Sequence, residues 1–154
     1  MSKRTILIAA LDSTPKDLTF LLRRMEETAV HQRLAFNEWS IADVLSHLAT
    51  IEPLYLARLQ RIVAEERPYL PYLHPETMPQ PTSTPLADLL AAFSAARQTT
   101  LDYLKSLKAG EWQRPAVHQT AGPTKFRYMV QMLVDHDTEH LTQIAQIQQQ
   151  LRTS

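Results

Sequence analysis

The chain of 154 residues contains no cysteine, which excludes disulfides, thiolate metal ligands, iron–sulfur clusters and a protein-borne thiol nucleophile. Any thiol chemistry must therefore come from a substrate. Charge of one sign is also missing: 16 Lys and Arg balance 16 Asp and Glu, so no long-range field favours nucleic acid or an anionic membrane. Long apolar runs are absent as well, because no stretch approaches the ~20 residues that a membrane span requires. Thr5 to Leu11 follows Lys3 and Arg4 like a very short signal peptide, yet Asp12 interrupts it and no small-residue cleavage site follows. The expectation is a soluble, cytoplasmic protein, a single domain over residues 1–154, as suits 17.6 kDa and an ordinary 44% of hydrophobic residues.

Only 2 glycines occur, and six of the 10 prolines (Pro68, Pro71, Pro75, Pro79, Pro81 and Pro85) fall in one stretch. Helix breakers are thus concentrated in one connection and the remainder reads as helix. Thr14-Pro15-Lys16-Asp17 supplies an N-cap, a proline at the first helical position and an early carboxylate, so a first helix is predicted from there, with Leu18, Leu21, Leu22 and Met25 as its stripe. Residues 29–38 form a link. A second helix is predicted from Ser40 to about Glu66, opened by Ser40 and Asp43 as a capping box and by Trp39 placed to pack on Val44. Ile41, Val44, Leu48, Ile51, Tyr55, Leu59 and Ile62 recur along it at three- and four-residue steps, and Pro53 predicts a kink. The third helix begins at Thr84-Pro85 and stops at Gly110. The fourth follows Gly122-Pro123, with Phe126, Met129, Leu133, His136, His140, Ile144, Ile147 and Leu151 on one continuous inward face.

No segment alternates like a strand for more than a few residues and no repeat is visible, so the pattern is an all-α four-helix bundle. About 17 residues join the second and third helices and can extend roughly 55 Å, whereas a 25-residue helix is only ~37 Å long. A crossover along the whole bundle is therefore affordable, and up-down-down-up order is expected.

Two of the six histidines, His136 and His140, lie one turn apart on the inward face of the fourth helix, in the run His136-Asp137-Thr138-Glu139-His140. Their Cβ atoms should stand ~5–6 Å apart, within reach of one shared ion, or else the rings hydrogen-bond across the core. Gln143 continues the face. His47, at the inward edge of the second helix, can converge from a neighbouring helix, the alternative being a boundary histidine with a local acceptor. His31, His74 and His118 fall in connections and read as solvated, His118 being the hardest to dismiss because its loop precedes the fourth helix. The run also matches the HxxEH pattern of inverted zinc peptidases, but only 14 residues follow His140, too few for the further acidic ligand. No ExxH occurs, which excludes a ferritin-like di-iron site, and no nucleophile elbow or glycine-rich turn presents a Ser or Thr beside these histidines.

The run Trp39-Ser40-Ile41-Ala42-Asp43-Val44-Leu45-Ser46-His47-Leu48, followed downstream by His136-Asp137-x-x-His140-Leu141-x-Gln143-Ile144, resembles the DinB (damage-inducible) family of metal-binding four-helix bundles. Glu52, Arg58, Pro68 to Pro71, Phe93 to Arg97, Trp112, and His118 with Gly122 agree with it, so the resemblance covers nearly the whole chain. It implies a divalent metal held by three histidines at the positions of His47, His136 and His140, and a homodimer. It also implies a superfamily in which some members are S-transferases or isomerases that use low-molecular-weight thiols.

Imidazoles suit Zn, Ni or Fe alike. Three protein ligands leave a coordination position open, the mark of a catalytic site, where a small-molecule substrate, a low-molecular-weight thiol or water would be activated. The expected activity is a thiol-dependent transferase or a hydrolase, with Asp137, Glu139 and Gln143 as groups that orient ligands or accept a proton. The alternative for Asp137 and Glu139 is a solvated charge, and for Gln143 a core amide. The rival to an enzyme is a non-catalytic metal- or ligand-binding dimeric bundle. Tyr69, Leu70, Tyr72 and Leu73 either form an association surface or fold back over the bundle.

Overall fold

The computed structural model describes residues 1–73 and 77–153. Four long helices dominate: α1 (Lys3–Leu21), α3 (Ile41–Ala64), α4 (Leu86–Ser106) and α5 (Phe126–Thr153), with a single turn α2 (Glu27–Val30) after α1. Three short strands, β1 (Tyr69–Leu70), β2 (Pro115–His118) and β3 (Gly122–Lys125), form a small sheet in the order β1-β2-β3.

The apolar side chains collect in two groups at opposite ends of the bundle. One gathers Leu7 and Leu11, Leu59 and Ile62, Leu101 and Leu104, and Met129 and Leu133. The other gathers Leu18 and Leu22, Ile41 to Leu48, Leu89 and Phe93, and Ile144 and Ile147. Chain direction follows from these pairs: α1 and α5 run from the first group to the second, and α3 and α4 run the other way. The order is up-down-down-up. Each of α1 and α3 packs on both α4 and α5, so α1 and α3 occupy opposite corners. The segment between α3 and α4 consequently spans the length of the bundle, as its chain length permits.

α3 begins where the capping box places it. Asp43 N–H donates to Ser40 Oγ at 3.0 Å and Ser40 N–H donates to the Asp43 carboxylate at 2.8 Å. Trp39 is partly buried against the group that contains Val44, and its ring edge meets His47. Three expectations need correction. α1 starts at Lys3, capped by Ser2, and runs straight through Thr14-Pro15. An internal proline removes the N–H that would reach the carbonyl four residues back, here Leu11. Arg97 Nη1 donates to that carbonyl at 2.9 Å, so the defect is satisfied from another helix and the break does not occur. Gly110 does not stop α4, which ends at Ser106; it lies within a 3-10 turn, Ala109–Gln113. The segments read as connections also contain strands. They escape pattern reading because two to four residues are too few to alternate and because β1 pairs with β2 across nearly fifty residues, Tyr69 opposite Val117.

Between the two apolar groups lies a charged layer. Arg97, 1% exposed, donates through Nε and Nη2 to Glu52 at 2.7 and 2.9 Å and through Nη1 and Nη2 to Asp137 at 2.7 and 2.8 Å. Thr14 Oγ1 adds a 2.6 Å hydrogen bond to Asp137. With the Leu11 carbonyl, all five guanidinium N–H groups are engaged and all four long helices are joined at one level. Burial works against the charge on Arg97, but the two carboxylates prevail and raise its pKa further.

Candidate metal centre

His47 on α3 and His136 and His140 on α5 meet beside this layer. One ring nitrogen from each lies within 4.8 Å of the other two, and His140 is buried. His136 Nε2 and His140 Nε2 are 3.1 Å apart. Two nitrogens bound to one tetrahedral ion at ~2.0–2.1 Å stand ~3.3–3.4 Å apart, so the pair is already close to ligand spacing. His140 Nδ1–H donates to Gln143 Oε1 at 2.8 Å, which leaves Nε2 with its lone pair. Three imidazoles, one of them hydrogen-bonded to an amide oxygen, form a donor set that could hold a divalent transition metal. The helical spacing explains the α5 pair. His47 joins them because α3 and α5 pack side by side in opposite directions.

Asp137 is buried and accepts from Arg97 and Thr14, so it is not a solvated charge. Gln143 orients His140. Glu139 is exposed and lines a cavity with His136. His31 lies elsewhere, its Nε2 2.8 Å from the Thr84 carbonyl. His74 lies outside the described residues. His118 is buried, and its Nδ1 accepts from the backbone N–H groups of Thr120 and Ala121, closing the turn between β2 and β3.

Two cavities flank the centre. One of about 550 Å³ touches His47 and is walled by Leu54 of α3 and by Pro71, Thr77 and Pro79 of the crossover. The other, about 530 Å³, touches His136 and includes Tyr55, His118, Asp135 and Glu139. Ile51, Arg58, Tyr72 and Leu73 border both. The crossover segment thus folds back over the bundle. Leu70 is buried in the core, while Tyr69 and Tyr72 remain half exposed. Arg33 holds the crossover by donating to the Pro79 carbonyl while its Nε and Nη2 grip Asp43. Burial alone would raise the Asp43 pKa, but Arg33 and the Ser40 hydrogen bonds outweigh it and hold the carboxyl below its ordinary value.

The sequence pattern did not reveal the Arg97 layer or a role for Arg58. The Arg97 layer carried a signal: Phe93, Arg97 and Leu101 follow at four-residue steps, placing a charge in a buried stripe, and such a charge needs partners.

Residues 10–144 match the family model of the DinB superfamily. Among solved structures, YfiT from Bacillus subtilis matches with a TM-score of 0.75 at 17% identity, covering 98% of this chain and 90% of that one. That protein is described as a probable metal-dependent hydrolase with an unusual four-helix bundle topology. At this identity the likeness concerns the fold. No curated protein matches the chain significantly. No helix among the described residues is long and apolar enough to cross a membrane.

Proposed function

The chain belongs to the DinB superfamily, and on that premise we propose that it is a metal-dependent hydrolase of a small molecule, with His47, His136 and His140 holding a divalent transition metal. The observation that carries this reading is the convergence of three ring nitrogens within 4.8 Å beside two cavities. The description of YfiT as a probable metal-dependent hydrolase supports it. When bound, the cation would supply Lewis acidity that activates water, or a thiol, near neutral pH. The chain's own residues do the rest. Gln143 fixes the His140 tautomer, the Arg97 layer fixes α5 against α3, and Glu139 stands in the cavity beside His136 where it can take up a proton.

A second reading, thiol transfer to an electrophile, is favoured by the two chambers, which offer separate places for two reactants. The test is to load the protein with Zn, Ni or Fe and offer a panel of esters and amides, then low-molecular-weight thiols with an electrophile. Metal-dependent cleavage lost in His136→Ala supports the hydrolase. Thiol consumption lost in the same variant moves the assignment to transferase, and inactivity in every arm leaves the non-catalytic bundle. We propose further that the protein is a homodimer, for which the exposed rings of Tyr69 and Tyr72 supply apolar surface.

A further inference from the structure

Arg58 is 8% exposed, and its Nε and Nη2 are buried without a hydrogen-bond partner among the described residues. Buried guanidinium groups are normally paired, because an uncompensated charge inside a protein is costly. Arg97, on the neighbouring helix, shows what a fully paired one looks like. Nε and Nη2 form one edge of the guanidinium, the fork whose two parallel N–H groups match the two oxygens of a carboxylate or phosphate. Arg58 borders both cavities. It follows His47 by eleven residues on α3, about 20° from three full turns, so the two share a face with Cα atoms ~16 Å apart along the axis. Side chains of a helix lean toward its N-terminus, which directs Arg58 toward the histidines.

His118 provides a second donor in the same cavity. Its Nδ1 accepts from two backbone N–H groups, at 3.2 and 3.1 Å, so the ring proton sits on Nε2. Burial lowers the pKa of this histidine, and the nearby charge of Arg58 lowers it further, so the ring is held neutral. On the α5 side of the cavity, Asp135 and Glu139 are exposed. The wall made by α3 and the sheet therefore attracts an anion, while the α5 wall repels one.

We propose that Arg58, with His118, binds an oxyanion group of the substrate, so that the molecule processed at the histidine centre is an anion with an apolar body. Ile51, Leu54 and Leu73 supply the apolar walls. This substrate class rests on the reading of the centre as an enzyme site, but the anion subsite can be tested without metal. Metal-free protein is titrated calorimetrically with 4-phenylbutyrate, its neutral isostere 4-phenylbutyramide, and phenyl phosphate. The carboxylate or the phosphate should bind the parent at least 10-fold more tightly than it binds Arg58→Met, and the amide should bind both equally. Arg58→Lys, which keeps the charge and loses the fork, should fall between them. Whichever oxyanion binds more tightly identifies the chemical source. Equal oxyanion affinity for the parent and a folded Arg58→Met, or amide binding as tight as the oxyanions in the parent, overturns the proposal. If Arg58→Met does not fold, Arg58→Lys takes its place, and an oxyanion affinity equal to the parent's overturns the proposal. Metal titration separates this from the premise: His136→Ala should keep the anion and lose the metal, and Arg58→Met the reverse. A parent that binds no metal but discriminates oxyanion from amide refutes the enzyme reading alone.

Discussion

In Arg97→Met an aliphatic chain of similar length replaces a guanidinium that is 1% exposed and engages two carboxylates and a carbonyl. Removing one partner of a buried charge cluster leaves Glu52 and Asp137 uncompensated, a loss of about 3–5 kcal/mol. The Leu11 carbonyl is orphaned too, because Pro15 has no N–H to return to it, adding about 1–3 kcal/mol. The combined cost of about 4–8 kcal/mol is comparable with the roughly 5–15 kcal/mol that stabilises a typical domain. Two further variants divide it. Arg97→Met with Pro15→Ala restores an N–H to Leu11 and should recover about 1–3 kcal/mol as a coupling energy, after subtracting the effect of Pro15→Ala in the parent. Arg97→Met with Glu52→Leu and Asp137→Leu removes the stranded charges and should recover most of the remainder. Urea unfolding followed by far-UV circular dichroism, with constant m-values, reads each step. A single Arg97→Met within about 1 kcal/mol of the parent would refute the reasoning, as would a coupling of zero between Pro15 and Arg97.

Alanine at His47, His136 or His140 should each strip metal under chelator competition while His31→Ala does not, and affinity should fall in acid because ligating imidazoles must be deprotonated. Metal removal should lower thermal stability by only a few kcal/mol, since the two apolar groups already form a core, and a lost helical signal would contradict this. Asp43→Ala should destabilise by about 2–4 kcal/mol in urea, through the lost cap and the lost Arg33 pair. Because the folded carboxyl lies below its ordinary value, the Asp43 contribution should be complete at neutral pH and disappear as pH falls through that lowered value, so parent and variant should converge in acid. Sedimentation at micromolar concentration should give a dimer of the 17.6 kDa chain, and Tyr69→Glu with Tyr72→Glu should dissociate it.

The fold was legible where local chemistry and tertiary structure agree. Ser40 with Asp43 fixes one helix start, and the inward period of α5 survives intact from Phe126 to Leu151. The crossover length pointed to the right direction for α4. The Thr14-Pro15 start was misread because an N-cap followed by proline looks the same whether or not a distant arginine occupies the freed carbonyl. β1 depends on a partner nearly fifty residues away, which no local pattern records, and the β2–β3 hairpin has strands of only four residues, too short to show alternation. At the centre, His136 and His140 were visible from spacing alone. The convergence of His47 with them is a product of packing between helices, whereas Arg58, three residues after Tyr55 and four before Ile62, carries the same kind of mark as Arg97, a charge at helical spacing beside an apolar stripe.

The crossover that walls the first cavity belongs to none of the helices that carry the histidines. It is fastened at a few points: β1 against β2, Tyr72 N–H on Gln119 Oε1, Arg33 on the Pro79 carbonyl and His31 beside the Thr84 carbonyl. Pro68, Pro71 and Pro79 restrict it before folding. Part of the cavity wall is therefore carried by a stretch of chain separate from the helices that hold the histidines. Exchanging residues between the fastenings should change which molecules enter, seen as altered KM across a substrate series, while metal affinity stays where the helices set it. For an engineer the solvent-facing part of this segment is a place to reshape the cavity wall while Leu70, which belongs to the core, is kept.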